Sequence, residues 1–298
     1  MITCNLMGGL GNQLFQIFTT IAHAIKSGNI FNFNNAKTLG GGKTIIRETY
    51  WDNLLSELKI VTTNNFPLLN VVKEKGFSYN EIKLEDIKDK NILLFGYFQS
   101  YKYFENEFNT ICKFIKIHDI QMKTLEQHHE LYTKKELSNT ISIHFRLGDY
   151  KKTPDYHPIL KYDYYYSALD YIIHNKHPHK SSKNNNKNVV PIWNVLYFCE
   201  DESFDEVYEI IHTLKDKFPN HLFTRCSSNL KDWEQLLIMS LCKHNIIANS
   251  SFSWWGAYLN SNENKIVCYP SVWFGPKKGE VDTNDLFSAN WVKISTTI

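Results

Sequence analysis

The chain has 298 residues, 43% of them hydrophobic, enough to bury a sizeable core in two domains of ordinary size. A formal net charge of +2 excludes a protein that grips nucleic acid through a broad basic face, because that mode neutralises many phosphates at once. No window approaches the roughly 20 apolar residues of a membrane helix, and the start lacks the basic, apolar and cleavage regions of an export signal, so no transmembrane segment and a cytoplasmic protein are expected.

The chain begins as strand, tight loop and helix. Ile2, Cys4 and Leu6 alternate ahead of GGLGNQ at 8–13, and Leu14, Phe15, Ile17, Phe18, Ile21, Ala22 and Ile25 then repeat at helical spacing up to Gly28, a predicted C-cap. A second strand is expected in FNF at 31–33, and a mobile turn in GGG at 40–42. NILLFGYFQS at 91–100 reads as a buried strand running into an aromatic-rich helix. The polar stretch 130–140 is the expected domain boundary. Beyond it strands and helices alternate: SIHFRLGDY at 142–150, VLYFCED at 195–201, HLFT, NIIAN and KIVCYP carry the strands. Between them, SFDEVYEIIHTL is a helix with Ser203 and Glu206 as a capping box and Phe204, Val207, Ile210, Ile211 and Leu214 as its apolar stripe. Such alternation predicts an α/β fold with parallel sheets covered on both faces. The low-complexity stretch 174–188 reads as surface loop. Six scattered cysteines without a C-x-x-C pair read as reduced, mostly buried thiols.

Chemistry concentrates at three strand ends. In SIHFRLGDY, period two sets Ile141, Ile143 and Phe145 on one face and Ser142, His144 and Arg146 on the other. Arg146 and Asp149 then fall beyond the carboxyl end of a strand, where open α/β sheets bind ligands, although a purely structural ion pair fits the same residues. His144 is either a nucleotide contact or a strand histidine. NIIANSSFSWWGAYL places Asn249, Ser250, Ser251, Phe252 and Ser253 at a helix start, whose unpaired N–H groups favour an anion. GGLGNQ brings Gly11, Asn12 and Gln13 to another helix start. It is not a P-loop, and Leu14 stands where a dinucleotide motif needs its third glycine, which argues against a nicotinamide oxidoreductase; a tight turn without ligand remains open. Glu200, Asp201 and Glu202 in CEDESF resemble a metal-holding Asp-x-Asp pair only weakly; Glu202 and Asp205 suit the positive start of the following helix, leaving Glu200 or Asp201 to face a ligand. A carbohydrate-binding module stacking sugars on Trp254 and Trp255 needs exposed rings, whereas their helical spacing predicts burial.

Together GGLGNQLFQ, FGYFQSYKYF, SIHFRLGDY, YFCED and LCKHNIIANSSFSWWGAYLN resemble, in order and spacing, the α-1,2-fucosyltransferases of glycosyltransferase family 11. The resemblance implies two Rossmann-like domains facing a cleft, the glycosyltransferase B-type fold, with residues 1–138 on the acceptor side and 139–298 binding the GDP-sugar. It also implies GDP-β-L-fucose as donor, a terminal β-galactoside hydroxyl as acceptor, inversion to an α-fucoside, and neither metal nor other cofactor. Arg146, Asp149 and Asn12 become the catalytic candidates; His144, Gly11, Gln13, Glu200, Asp201, Gln235, Asn249, Ser250, Ser251, Phe252 and Ser253 join Arg146 as donor contacts. Gln235, with Glu234 beside it, is the nearest match to a carboxylate that reads guanine in similar enzymes. The family usually has two adjacent arginines where this chain has Arg146 and Leu147. Position 147 points to the packed face in the strand reading, so a leucine is tolerable there.

Overall fold

A computed structural model describes residues 1–42, 45–174 and 191–296. Apart from His174, the stretch 174–188 lies outside them. The chain divides into two compact units, residues 1–124 with 280–289, and residues 125–279 with 290–298.

In the first unit, β1 (Ile2–Cys4) pairs in parallel with β3 (Ile92–Phe95), which pairs with β2 (Asn70–Lys73). α1 (Leu10–Ser27) follows β1 through the glycine loop. Its expected stripe is buried except for Ile25, which is exposed near the helix end, and Gln13, Gln16, Thr19, Thr20 and His23 are buried too. Some of their polar atoms are met locally, with Thr20 Oγ1 donating to the Gln16 carbonyl at 2.7 Å and Gln16 Oε1 accepting from Met7 N at 2.9 Å, while Thr19 Oγ1 and Gln13 Oε1 are buried without a partner. Gly28 ends the helix in the left-handed region (φ 66°), its N–H reaching Ile25 O and that of Asn29 reaching Ala24 O, a closure that favours glycine. Two expectations are corrected. The strand near FNF is Phe33–Asn34, with a single bridge between Ile2 and Phe31. After β3 the chain makes a 3₁₀ turn at Tyr101–Tyr103 before a helix forms at Phe108–Phe114, because Phe98 takes a left-handed turn (φ 52°) that breaks the run.

α2 (Ile117–Gln127) carries the chain across the division. The division precedes the polar stretch 130–140 because Tyr132 and Leu137 belong to the second unit's apolar core, with Leu125 packed against it. Residues 280–289 return to the first unit: Asp285 Oδ2 accepts from Tyr79 N at 3.1 Å, its carboxylate pairs with Lys102, and its carbonyl accepts from Ser100 Oγ at 2.6 Å.

The second unit is built on β4 (Thr140–His144), α3 (Tyr162–His174), β5 (Asn194–Phe198), α4 (Phe204–Lys217), β6 (Leu222–Arg225), α5 (Asp232–Leu241), β7 (His244–Ile246), α6 (Ser251–Tyr258), β8 (Val267–Pro270) and β9 (Val292–Ile294). Its six strands are all parallel in the order β6–β5–β4–β7–β8–β9. From β4 the chain winds outward to β6, then returns past β4 to lay down β7. The winding therefore reverses between β4 and β7, where an α/β sheet opens a crevice beyond its carboxyl ends.

Both faces are covered, as a parallel sheet requires. Ile141, Ile143, Phe145 and Leu147 pack with Tyr164, Tyr165, Val207, Ile211 and Leu214, while Leu196 and Phe198 pack with Ile238, Met239 and Cys242 on the other side. Leu147 is only 5% exposed. The Ser203 capping box does not form. A 3₁₀ turn at Asp201–Ser203 precedes α4, Ser203 Oγ is buried without a partner, and Glu206 reaches Lys151 instead.

Candidate active site

Arg146 emerges one residue past the last pairing of β4, where Phe145 N still bonds Phe198 O. Its side chain is 24% exposed and the guanidinium is held from two sides: Nη2 donates to Asp149 Oδ1 at 2.7 Å, and Nη1 donates to Glu200 Oε1 from the end of neighbouring β5. Burial opposes the positive charge, but Glu200 and then Asp149 outweigh it and hold the guanidinium's pKa above its ordinary value. Gly148 makes the pairing possible, since a Cβ there would stand 2.9 Å from Glu200 Oε1. Two of the five N–H groups of Arg146 are engaged by carboxylates, which leaves others for a phosphate.

Across the winding reversal, Ser250 caps α6, its Oγ accepting from Phe252 N at 3.3 Å. Ser253 turns inward, accepting from Ala248 N at 3.2 Å and donating to Ser250 O at 3.4 Å, so its hydroxyl serves the loop rather than a ligand. Asn249 is likewise structural. Its amide donates to Pro158 O at 2.9 Å and Trp273 O at 3.2 Å. Ser251 sits half-buried in the first turn of α6. The two arms meet where the His144 ring lies 5.4 Å from that of Phe252. Burial, then the charge of Arg146, hold His144 down to about 3, so it is a neutral imidazole at ordinary pH. Trp254 and Trp255 are wholly buried, Trp254 stacking on Tyr258 at 4.5 Å, which removes the exposed platform a sugar-binding module needs.

Glu200 faces Arg146 and Asp201 faces Arg225. Among the described residues no group of three or more His, Cys, Asp or Glu side chains is placed to hold a metal ion. Gln235 donates to Leu230 O at 3.0 Å, and Glu234 accepts from Lys231 N at 2.7 Å and pairs with His128 at 3.1 Å, so both are engaged within their own neighbourhood. Gly11, Asn12 and Gln13 form the first turn of α1 in the first unit, where the helix start has no side-chain cap. Gln13 is wholly buried and stitches the loop, donating to Gly8 O at 3.0 Å and Glu48 O at 2.8 Å. Asn12 Oδ1 accepts from Gln99 Nε2 at 2.7 Å.

Sequence reasoning missed three residues of the second unit's site. Tyr150 carries Arg146 over its ring, 5.3 Å from Cζ to centroid, and donates its hydroxyl to Asn249 O at 2.9 Å. His157 stacks on Tyr150 at 4.6 Å, and Arg225 lies over Phe204 at 4.6 Å while pairing with Asp201. Tyr150 closes the quoted motif and could have been weighed; nothing local marks the other two.

A guanidinium and a capped helix start at the switch point of a parallel sheet form a ready anion site. The family model of glycosyl transferase family 11 matches residues 1–295, and the chain belongs to that family. It is thus a glycosyltransferase, with a nucleotide-sugar donor and a glycan acceptor. The chain is 31% identical to the O-antigen biosynthesis glycosyltransferase WbnK of Escherichia coli over 99% of its own length and all of the relative's. It is 24% identical to an alpha-1,2-colitosyltransferase of Escherichia coli over 99% of both chains. Among solved structures, a mutant of Arabidopsis thaliana FUT1 in complex with GDP aligns with a TM-score of 0.46 at 10% identity, covering 90% of this chain and 70% of that one. Among the described residues no helix is long and apolar enough to cross a membrane.

Proposed function

We propose that the protein transfers L-fucose from GDP-β-L-fucose to a terminal β-galactoside hydroxyl, inverting the donor to an α-1,2-fucoside without a metal ion. The reading is carried by Arg146 at the switch point, flanked by the Ser250 cap. Breaking the bond between fucose C1 and the β-phosphate oxygen leaves an additional negative charge on the diphosphate. Arg146 meets that charge with parallel N–H donors, and the start of α6 adds main-chain N–H groups and its dipole. Donors placed where charge develops are worth about 2.7–4 kcal/mol each. Glu200 and Asp201, after β5, are tied to arginines, which supports metal-free stabilisation of the leaving group.

Inversion brings the acceptor hydroxyl to C1 from the face opposite the departing GDP, and its proton must go to a base or to water. Asp149 is bonded to Arg146, so its first role is to orient the guanidinium and its second is base catalysis. His144 stays neutral against Phe252 and supplies shape and polarity at the nucleotide side. Asn12 is the first unit's candidate contact to the substrates.

The colitosyltransferase relative supports the α-1,2 linkage and favours one second reading, in which the sugar delivered is colitose. The test is transfer from GDP-fucose to galactose-terminated glycans with a chelator present, with the linkage read by NMR. An α-1,2-fucosyl product unaffected by chelation is expected. Absence of transfer from GDP-fucose alongside transfer of colitose, or a strict need for manganese or magnesium, would overturn the proposal.

A further inference from the structure

We propose that Tyr150 and His157 are positioning residues that hold Arg146 against the turn leading into α6. The inference rests on the proposed donor reading, in which Arg146 meets the diphosphate. The contacts form a closed circuit. The Tyr150 ring lies under the Arg146 guanidinium, 5.3 Å from Cζ, and its hydroxyl donates to Asn249 O at 2.9 Å. Asn249 in turn donates its amide to Pro158 O at 2.9 Å, and the adjacent residue, His157, returns to stack on Tyr150 with centroids 4.6 Å apart and planes 23° apart. The segment after β4 is thereby tied twice to the segment after β7, across the point where the sheet winding reverses.

The chemistry of this circuit suits a site that must exchange partners. Asp149 and Glu200 hold Arg146 through its N–H donors, and an arriving phosphate competes for those same donors. The aromatic face attracts the cation independently of those carboxylate bonds, and the Tyr150 hydroxyl accepts a hydrogen bond of its own from Arg146. Tyr150 therefore keeps the guanidinium in place while its hydrogen bonds are being traded. Burial pushes the Tyr150 hydroxyl up to about 12, so it remains a proton donor to Asn249 throughout the working pH range. His157 Nδ1 is buried without a hydrogen bond, so no partner fixes its tautomer as a general base would require. Its ring works by stacking. The charged groups that face it are Lys278, Asp149 and Arg146, and burial with the two cations disfavours its protonation. A proton on His157 adds a positive charge beside Arg146 and loosens the stack.

The test uses Tyr150→Phe, Tyr150→Ala, His157→Phe and His157→Ala, measuring kcat, KM for GDP-fucose, GDP affinity and Tm. Tyr150→Phe should lower kcat about tenfold with KM within twofold, because the misplaced donor is felt most when charge has moved onto the diphosphate. Tyr150→Ala and His157→Ala should weaken GDP about tenfold, beyond what any fall in Tm accounts for. His157→Phe should restore neutral-pH kcat to within twofold of the native enzyme. Native kcat and GDP affinity in both alanine variants, losses that track Tm alone, or no rescue of kcat in His157→Phe would each overturn the proposal. If the native protein neither transfers fucose nor binds GDP, the donor reading fails by itself. Crystal structures of the Tyr150→Ala variant then decide: a displaced Arg146 upholds the positioning role and an unmoved one refutes it.

Discussion

The two units use the same device, a parallel strand passing through a tight loop into a buried helix, and finish it with different chemistry. At the carboxyl edge of the second unit's sheet stand Arg146, Arg225, Asp149, Glu200 and Asp201, paired cation to carboxylate. At the corresponding edge of the first unit stand the amides of Asn12, Gln13 and Gln99. Glu74 is also there, but both its oxygens accept main-chain N–H groups, from Tyr97 and Phe98 at 2.7 Å each, and burial raises its pKa. The winding reversal opens a crevice at the second unit's edge. Charge decides what each edge can hold: guanidiniums suit a diphosphate, and amides suit neutral hydroxyls or the loop itself.

The comparison can be broken most forcefully at Arg146. Arg146→Lys keeps the charge but loses the planar fork, and kcat should fall on the order of 10² to 10³-fold with an unchanged circular dichroism spectrum. Near-native turnover would remove the leaving-group role. Leu147→Arg, which installs the family's usual second arginine, forces a charge into the core shared with Phe145 and Tyr165. It should cost roughly 3 kcal/mol or more in denaturant unfolding, and a variant as stable as the native chain would show that position 147 faces outward. Gln13→Leu leaves Gly8 O and Glu48 O without their donor and should destabilise the chain by about 1–3 kcal/mol. GDP affinity should not change, and a selective loss of GDP binding would move Gln13 from scaffold to site.

Acid provides a subtler probe of both units, because each buries a neutral histidine. His144 is held to about 3 and His23 to about 4, each by burial, against an ordinary value of 6.5. The unfolded chain therefore binds more protons between the folded and unfolded values. Stability from these histidines is fully present above pH 6.5 and is lost as pH falls toward about 4 for His23 and about 3 for His144, with a slope of about 1.4 kcal/mol per pH unit for each. His144→Phe and His23→Phe should each flatten the melting curve measured against pH in that window, and an unchanged slope would mean the histidines titrate normally. The smallest effect is expected from Ser250→Ala, which removes the α6 cap for about 1 kcal/mol. Thermal melting should register that loss alongside a kcat reduced severalfold; full activity would separate the cap from the chemistry.

Much of this was readable in the sequence, and the unreadable part has a physical cause. α1 and the burial of Leu147 followed from periodicity, because side-chain direction repeats with the backbone. The link between Arg146 and Glu200 depends on β4 and β5 being neighbours in the sheet, and the bond from Tyr150 to Asn249 on β4 and β7 being neighbours. Local patterning does not encode such adjacency. Ser203 has the composition of a cap, but the preceding 3₁₀ turn satisfies the helix start without its hydroxyl. Ser253, one of three hydroxyls counted toward the ligand, is absorbed by Ala248 N and Ser250 O. The return of residues 280–289 to the first unit rests on Asp285 contacts that no motif announces.

The most direct measurement is a crystal structure of the protein with GDP bound. The pyrophosphate should lie within hydrogen-bonding distance of the Arg146 guanidinium and of the main-chain N–H groups that open α6. A pyrophosphate bound elsewhere, with Arg146 still closed on Asp149 and Glu200, would contradict the assignment of this edge as the seat of the departing nucleotide.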